Sequence, residues 1–109
     1  MKDPRLYLLH IAECIAKIAR YTAAGATAMD EPMVADAVLR NLQTLSEAAQ
    51  RLPDDVKARH PEIPWQRIAG FRNILVHDYL GGIDNSLVWR VIQDELPRLK
   101  AVIEAELAA

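Results

Sequence analysis

The sequence predicts an all-α protein, an antiparallel helical bundle of four long helices plus one short helix. Three observations carry that prediction. Apolar residues recur at steps of three and four along nearly the whole chain, the period of an amphipathic helix. Prolines stand at the edges of these runs, Pro97 excepted. No stretch alternates apolar and polar residues as a half-buried strand does. Short connections between such helices favour antiparallel neighbours.

Each element carries its own signals. Asp3 is an N-cap with Pro4 at the first helical position, and Leu8, Ile11, Ile15 and Ile18 draw one apolar stripe that fades near Tyr21. Thr22 to Met29 is small and loop-like, with Gly25 as a C-cap candidate. Asp30 or Glu31 before Pro32 starts a second helix with the stripe Val34, Val38, Leu42, Leu45, Ala49 and Leu52, and Pro53 stops it. Asp54 caps a short piece around Asp55 to Arg59, and Pro61 interrupts it. Pro64 opens a helix through Trp65, Ile68, Phe71 and Leu75 that runs to about Tyr79 and ends at Gly81 and Gly82. Asp84 or Asn85 caps a last helix, with Val88, Ile92, Leu96, Leu99, Ile103 and Leu107 on one side and a kink expected at Pro97.

A chain of 109 residues is one domain by length. It can bury roughly two thirds of the surface its unfolded form exposes, so folding needs neither disulfide nor metal. The lone Cys14 reads as a buried hydrophobe in a reducing compartment, which implies a cytosolic location. The opening "MKDPRLYLLHIAECIAKIAR" is broken by Asp3, Arg5, His10, Glu13 and Lys17, so it reads as neither signal peptide nor membrane span. A net charge of -2 argues against bulk electrostatic binding of nucleic acid. The middle is more basic, with Arg51, Lys57, Arg59, Arg67 and Arg72 against Asp54, Asp55 and Glu62. By itself that is an ordinary solvated mixture, with those cations free to steer a phosphate or simply to keep the surface soluble.

Several chemistries lack their residues. His10, His60 and His77 have no metal-ligand spacing among themselves or with Cys14, so no metal site or cofactor is expected. Neither phosphate-binding glycine motif occurs, and Ser46 and Ser86 lie in helical sequence rather than on a strand-to-helix turn. Trp65 and Trp89 read as core or interface anchors.

What remains is "GFRNILVHDYLGG", residues 70 to 82, where Arg72, His77 and Tyr79 stand among core-type residues. Arg72 falls near the apolar stripe, a costly place for a guanidinium without an anion. On a regular helix Arg72 and His77 are about 140° apart around the axis, whereas Asn73 and His77 share a face. A histidine can remove and return protons near neutral pH, and an arginine can hold a phosphate. Those two roles suffice for cutting RNA without metal, because the 2'-hydroxyl is already the nucleophile. The common alternative for such a pair is a structural one.

The run "RNILVHDY" fits R-x-x-x-x-H-x-Y and resembles the HEPN superfamily, in particular the HepT-like RNase toxins that act beside a minimal nucleotidyltransferase of the MntA type. The similarity extends to "YLLHIAECIAKIARYT", "DAVLRNLQTLSEAAQRLP", "PEIPWQRIAGFRNILVHDYLGGID" and "VWRVIQDELPRLK", nearly the whole chain. It implies a single HEPN-like domain over residues 1 to 109, a homodimer with two motifs facing across a cleft, and a metal-independent endoribonuclease. By position, Arg72 and His77 become the catalytic pair, Asn73 a support for the histidine, and Tyr79 the residue that receives AMP from the MntA-like antitoxin. An attached nucleotide there would block RNA by charge and volume. Two positions depart from the family pattern. Asp78 stands where a small residue is usual, and its charge both repels RNA and favours a protonated histidine. Ser46 replaces a common glycine, a matter of helix packing. A module of a different kind is the alternative: a catalytically silent helical domain that docks a nucleotidyltransferase or a nucleotide.

Overall fold

The computed structural model describes residues 3–77 and 84–109, with the backbone alone for residues 72–77. It contains six α-helices and one 3-10 turn, and no strand among the described residues.

Helix α1, Pro4–Tyr21, starts as its sequence implies: an Asp3 carboxylate oxygen accepts from the Arg5 amide at 2.9 Å, and Pro4 occupies the first turn. It ends at Thr22, whose amide and hydroxyl both donate to the Ile18 carbonyl. Gly25 does not cap that helix. Its φ of +91° turns the chain into the 3-10 segment Ala26–Asp30, formed where a loop was expected. The buried Met29 side chain gives that segment its reason to be ordered.

Helix α2, Pro32–Gln50, is the centre of the bundle, packed by α1 on one side and by α4 on another. Two neighbours make its buried surface wider than one stripe: Ala35, Ser46 and Ala48 join Val38, Leu42, Leu45 and Ala49, while Val34 is only half-buried. Ser46 is 1% exposed, and its hydroxyl donates to the Gln43 carbonyl at 2.7 Å, so a small side chain at this crowded position satisfies its own polar group.

Helix α3, Asp54–Ala58, is capped by Pro53, not Asp54. Both Asp54 and Asp55 lie in its first turn, where carboxylates favour the helix dipole. Helix α4 covers Trp65–His77. The expected single kinked C-terminal helix is two helices, α5 (Asn85–Asp94) and α6 (Leu96–Ala108), meeting at Glu95. Pro97 thereby moves from a helix interior, where a lost donor is costly, to a first turn, where no donor is needed. Backbone bonding continues on both sides of the break, from the Glu95 amide to Val91 and from the Leu99 amide to Glu95. Asp84 caps α5, accepting from the Ser86 and Leu87 amides.

One core runs through the bundle, with Ile11, Ile18, Leu45, Ile68, Leu99 and Ile103 fully enclosed. Cys14 belongs to it, and burial pushes its thiol up from its ordinary pKa against a smaller opposing effect of the Thr44 hydroxyl. It is an inert core thiol. Among the described residues no helix is long and apolar enough to cross a membrane.

Candidate active site

The candidate residues Arg72, Asn73 and His77 belong to the last turns of α4, whose backbone is helical through His77. A continuous helix keeps positions 72 and 77 about 140° apart and brings 73 and 77 one turn apart. Asp78 and Tyr79 lie outside the described residues, as does the expected end of the helix at Gly81 and Gly82.

The base of α4 is held firmly. Ile63 and Ile68 are buried, as is Phe71 one turn beyond Ile68. The Trp65 indole donates to the Lys57 and His60 carbonyls at 3.2 and 3.0 Å, tying the start of α4 to the end of α3. Trp65 is thus an anchor, as its apolar setting implied, and Trp89 packs half-buried against the same core.

Two carboxylates, distant in sequence, complete the mounting. Glu106 on α6 accepts from Arg59 through both oxygens, at 2.7 and 3.2 Å, and lies 2.6 Å from His60 Nε2. Glu95, at the α5–α6 junction, is 6% exposed and receives Arg67 of α4 at 2.7 Å and Arg98 at 3.1 Å. Sequence reasoning missed both carboxylates, and for His60 it excluded only a metal site. No local pattern marks such pairs, since Arg59 and Glu106 are 47 residues apart. Of the cations considered for steering, Arg59 is committed to Glu106 and Asp55, and the Lys57 ammonium donates to the Gln50 carbonyl. Among the described residues, no group of three His, Cys, Asp or Glu side chains is arranged to hold a metal ion.

The Glu106 cluster makes stability pH-dependent. The hydrogen bond from Arg59, and then that from His60, lowers the Glu106 pKa from its ordinary 4.5 to about 2, outweighing the opposing effect of burial. A depressed carboxyl binds fewer protons folded than unfolded, so its contribution is full above 4.5 and lost as pH falls through about 2. In thermal melts across that window, wild type is expected to lose more stability than Glu106→Gln. Parallel pH profiles for the two proteins would sink this account.

The chain thus combines an all-α bundle, consistent with a HEPN-like fold, with R-x-x-x-x-H on α4. The model of the family described as "Ribonuclease HepT-like" matches residues 11–106, and the chain belongs to this family. Curated relatives agree. A protein named "Probable ribonuclease HepT" from Thermococcus cleftensis is 36% identical over 103 residues, covering 90% of each chain. One from Caldanaerobacter subterraneus subsp. tengcongensis, whose name marks it as an RNase candidate, is 34% identical over 106 residues, with 95% of this chain and 94% of the relative covered. A third, from Methanocaldococcus jannaschii, is named as both a gamma-glutamylcyclotransferase and an RNase candidate. It is 36% identical over 105 residues, which are 94% of this chain but 46% of the relative. No solved structure gives a significant match.

Proposed function

We propose that this chain is a metal-independent endoribonuclease, the toxin of a pair whose antitoxin is an MntA-like nucleotidyltransferase. The observation that carries the reading is the family match over residues 11–106, which encloses the Arg72–His77 motif on α4. His77 acts as general base, taking the proton of the RNA 2'-hydroxyl as that oxygen attacks the adjacent phosphorus. The bond to the 5'-oxygen breaks, a 2',3'-cyclic phosphate forms, and the leaving oxygen takes up a proton. Arg72 holds the phosphate and offsets the charge that accumulates on it in the transition state. Asn73, one helical turn before His77, orients the imidazole.

The functional unit in this proposal is a homodimer. One helix holds positions 72 and 77 on different sides, so groups from two copies of α4 converge where one copy cannot bring them together. Cleavage of a mixed RNA pool in EDTA by partner-free protein tests the activity, with intact mass checked for adducts. A clean wild type that leaves RNA intact would favour the silent docking module.

Silencing is assigned to AMP transfer onto the Tyr79 hydroxyl, with pyrophosphate leaving from ATP. Incubation with the nucleotidyltransferase and ATP should add one AMP residue per modified tyrosine and stop RNA cleavage. Tyr79→Phe should remain unmodified and active; the same mass gain in that variant would locate the acceptor elsewhere.

A further inference from the structure

Beside the motif helix runs a groove between α4 and α5, with a volume of about 330 Å³, lined by Arg67, Phe71, Leu87, Arg90, Val91 and Asp94, with Glu95 at its end. Its size is at the low end for small-molecule clefts, which fits a nucleotide better than a folded peptide segment. Phe71 and Val91 form an apolar floor, and Leu87 is 37% exposed at the rim. An arginine stands on each wall. Arg67 spends one guanidinium nitrogen on Glu95 and keeps a side chain that is 64% exposed. Arg90 is exposed and has no ion pair or hydrogen bond among the described residues. Glu95 is the groove's buried carboxylate, and it is already neutralised by Arg67 and Arg98. Asp94 is the remaining acidic group of the lining, one helical turn beyond Arg90 on α5, and the two form no ion pair.

We infer that this groove is a substrate subsite that takes an unpaired base of single-stranded RNA against Leu87 and Val91, with the flanking phosphate on Arg90 and the guanidinium of Arg67 beside it. An apolar slot between cations suits single strands, whose bases are splayed and stack on aromatic, apolar or guanidinium surfaces while cations track the backbone. The position is right for a substrate of the proposed nuclease. Position 71 lies about 9 Å from position 77 along the helix axis and about 120° around it, and position 67 about 15 Å along and about 80° around. A strand seated in the groove is thus within about two nucleotides' reach of the motif, around the side of α4. The inference deepens the nuclease reading and rests on it for the identity of the ligand as substrate, but the binding test stands apart from the chemistry.

The test is anisotropy of a fluorescent, mixed-sequence single-stranded oligoribonucleotide titrated with full-length His77→Ala protein, which keeps the RNA intact. Arg90→Gln in that background should weaken binding roughly fivefold at low salt and reduce the slope of log affinity against log salt by about 0.7, the loss of one phosphate contact. Leu87→Ser should weaken binding with the slope unchanged, and Arg40→Gln, an exposed arginine on α2, should bind like the parent. Both groove positions are exposed, so folding is spared. Unchanged affinity in both groove variants, or a parent that binds no RNA, overturns the subsite. A changed oligomeric state with unchanged RNA affinity also overturns it, and assigns the groove to a second copy of the chain. Groove-dependent binding by a protein that never cleaves leaves the subsite standing and removes the nuclease reading. Cleavage without groove dependence does the reverse.

Discussion

His77→Ala is expected to cut RNA about 10²- to 10⁴-fold more slowly than wild type, the usual contribution of a positioned general base. Its melting temperature and oligomeric state should stay those of wild type. The measurement is initial cleavage rate in EDTA with both proteins expressed without a partner protein and checked by intact mass for adducts. In the proposed mechanism RNA brings its own nucleophile, which leaves the protein to remove one proton and to stabilise charge on one phosphate. A variant that cleaves at the wild-type rate would remove His77 from the chemistry and leave the motif histidine a structural residue. Loss of activity together with a changed oligomeric state would not support a role as base, which is why the oligomeric state is read on the same samples.

Ile68→Ala should be the more damaging change to the fold. Ile68 is 1% exposed, one turn before Arg72, in the core that α4 shares with α2. Truncation at such a site removes transfer free energy and leaves a cavity, together about 2–5 kcal/mol. For a domain of this size that lowers the melting temperature by about 4 °C for each kcal/mol. Cleavage by Ile68→Ala should survive at low temperature and vanish on heating in step with unfolding, whereas His77→Ala should be slow even at temperatures where it is fully folded. If Ile68→Ala melts like wild type, the tight enclosure of α4 described above is wrong. The contrast separates a residue that mounts the helix from one that works on the substrate.

Much of this architecture was legible along the chain. The spacing of Leu8, Ile11, Ile15 and Ile18, the Asp3–Pro4 start and the Glu31–Pro32 start all act within a few residues, and the helices begin and end accordingly. The break at Glu95 was half legible. Pro97 announced a disturbance, but a kink and a new helix differ only in where the proline falls relative to the helix start, and the burial of Glu95 between Arg67 and Arg98 accompanies the second outcome. The 3-10 turn at Ala26–Asp30 was not legible, because its order comes from Met29 entering a core built by other elements.

The candidate site divides in the same way. R-x-x-x-x-H is a local pattern, readable on sight, and so is the amphipathic helix that carries it. Which arginines remain available for RNA is not. Arg59 and Arg90 look alike in sequence, yet one is taken by a carboxylate 47 residues away and the other has no such partner among the described residues.

By itself, then, the sequence determined the all-α class, the starts of α1, α2, α4 and α5, the apolar stripes and the R-x-x-x-x-H pattern that carries the family resemblance. Those properties depend on backbone hydrogen bonding, capping and a 3.6-residue period, all of which act over one or two turns. Only the tertiary structure decided that Glu106 and Glu95 hold the chain on either side of the α3–α4 junction, that Ser46 is enclosed, and that α4 and α5 leave a groove with an arginine on each wall. Such pairings depend on which helix faces meet, and that is set by the packing of the whole core rather than by any local stretch of the chain.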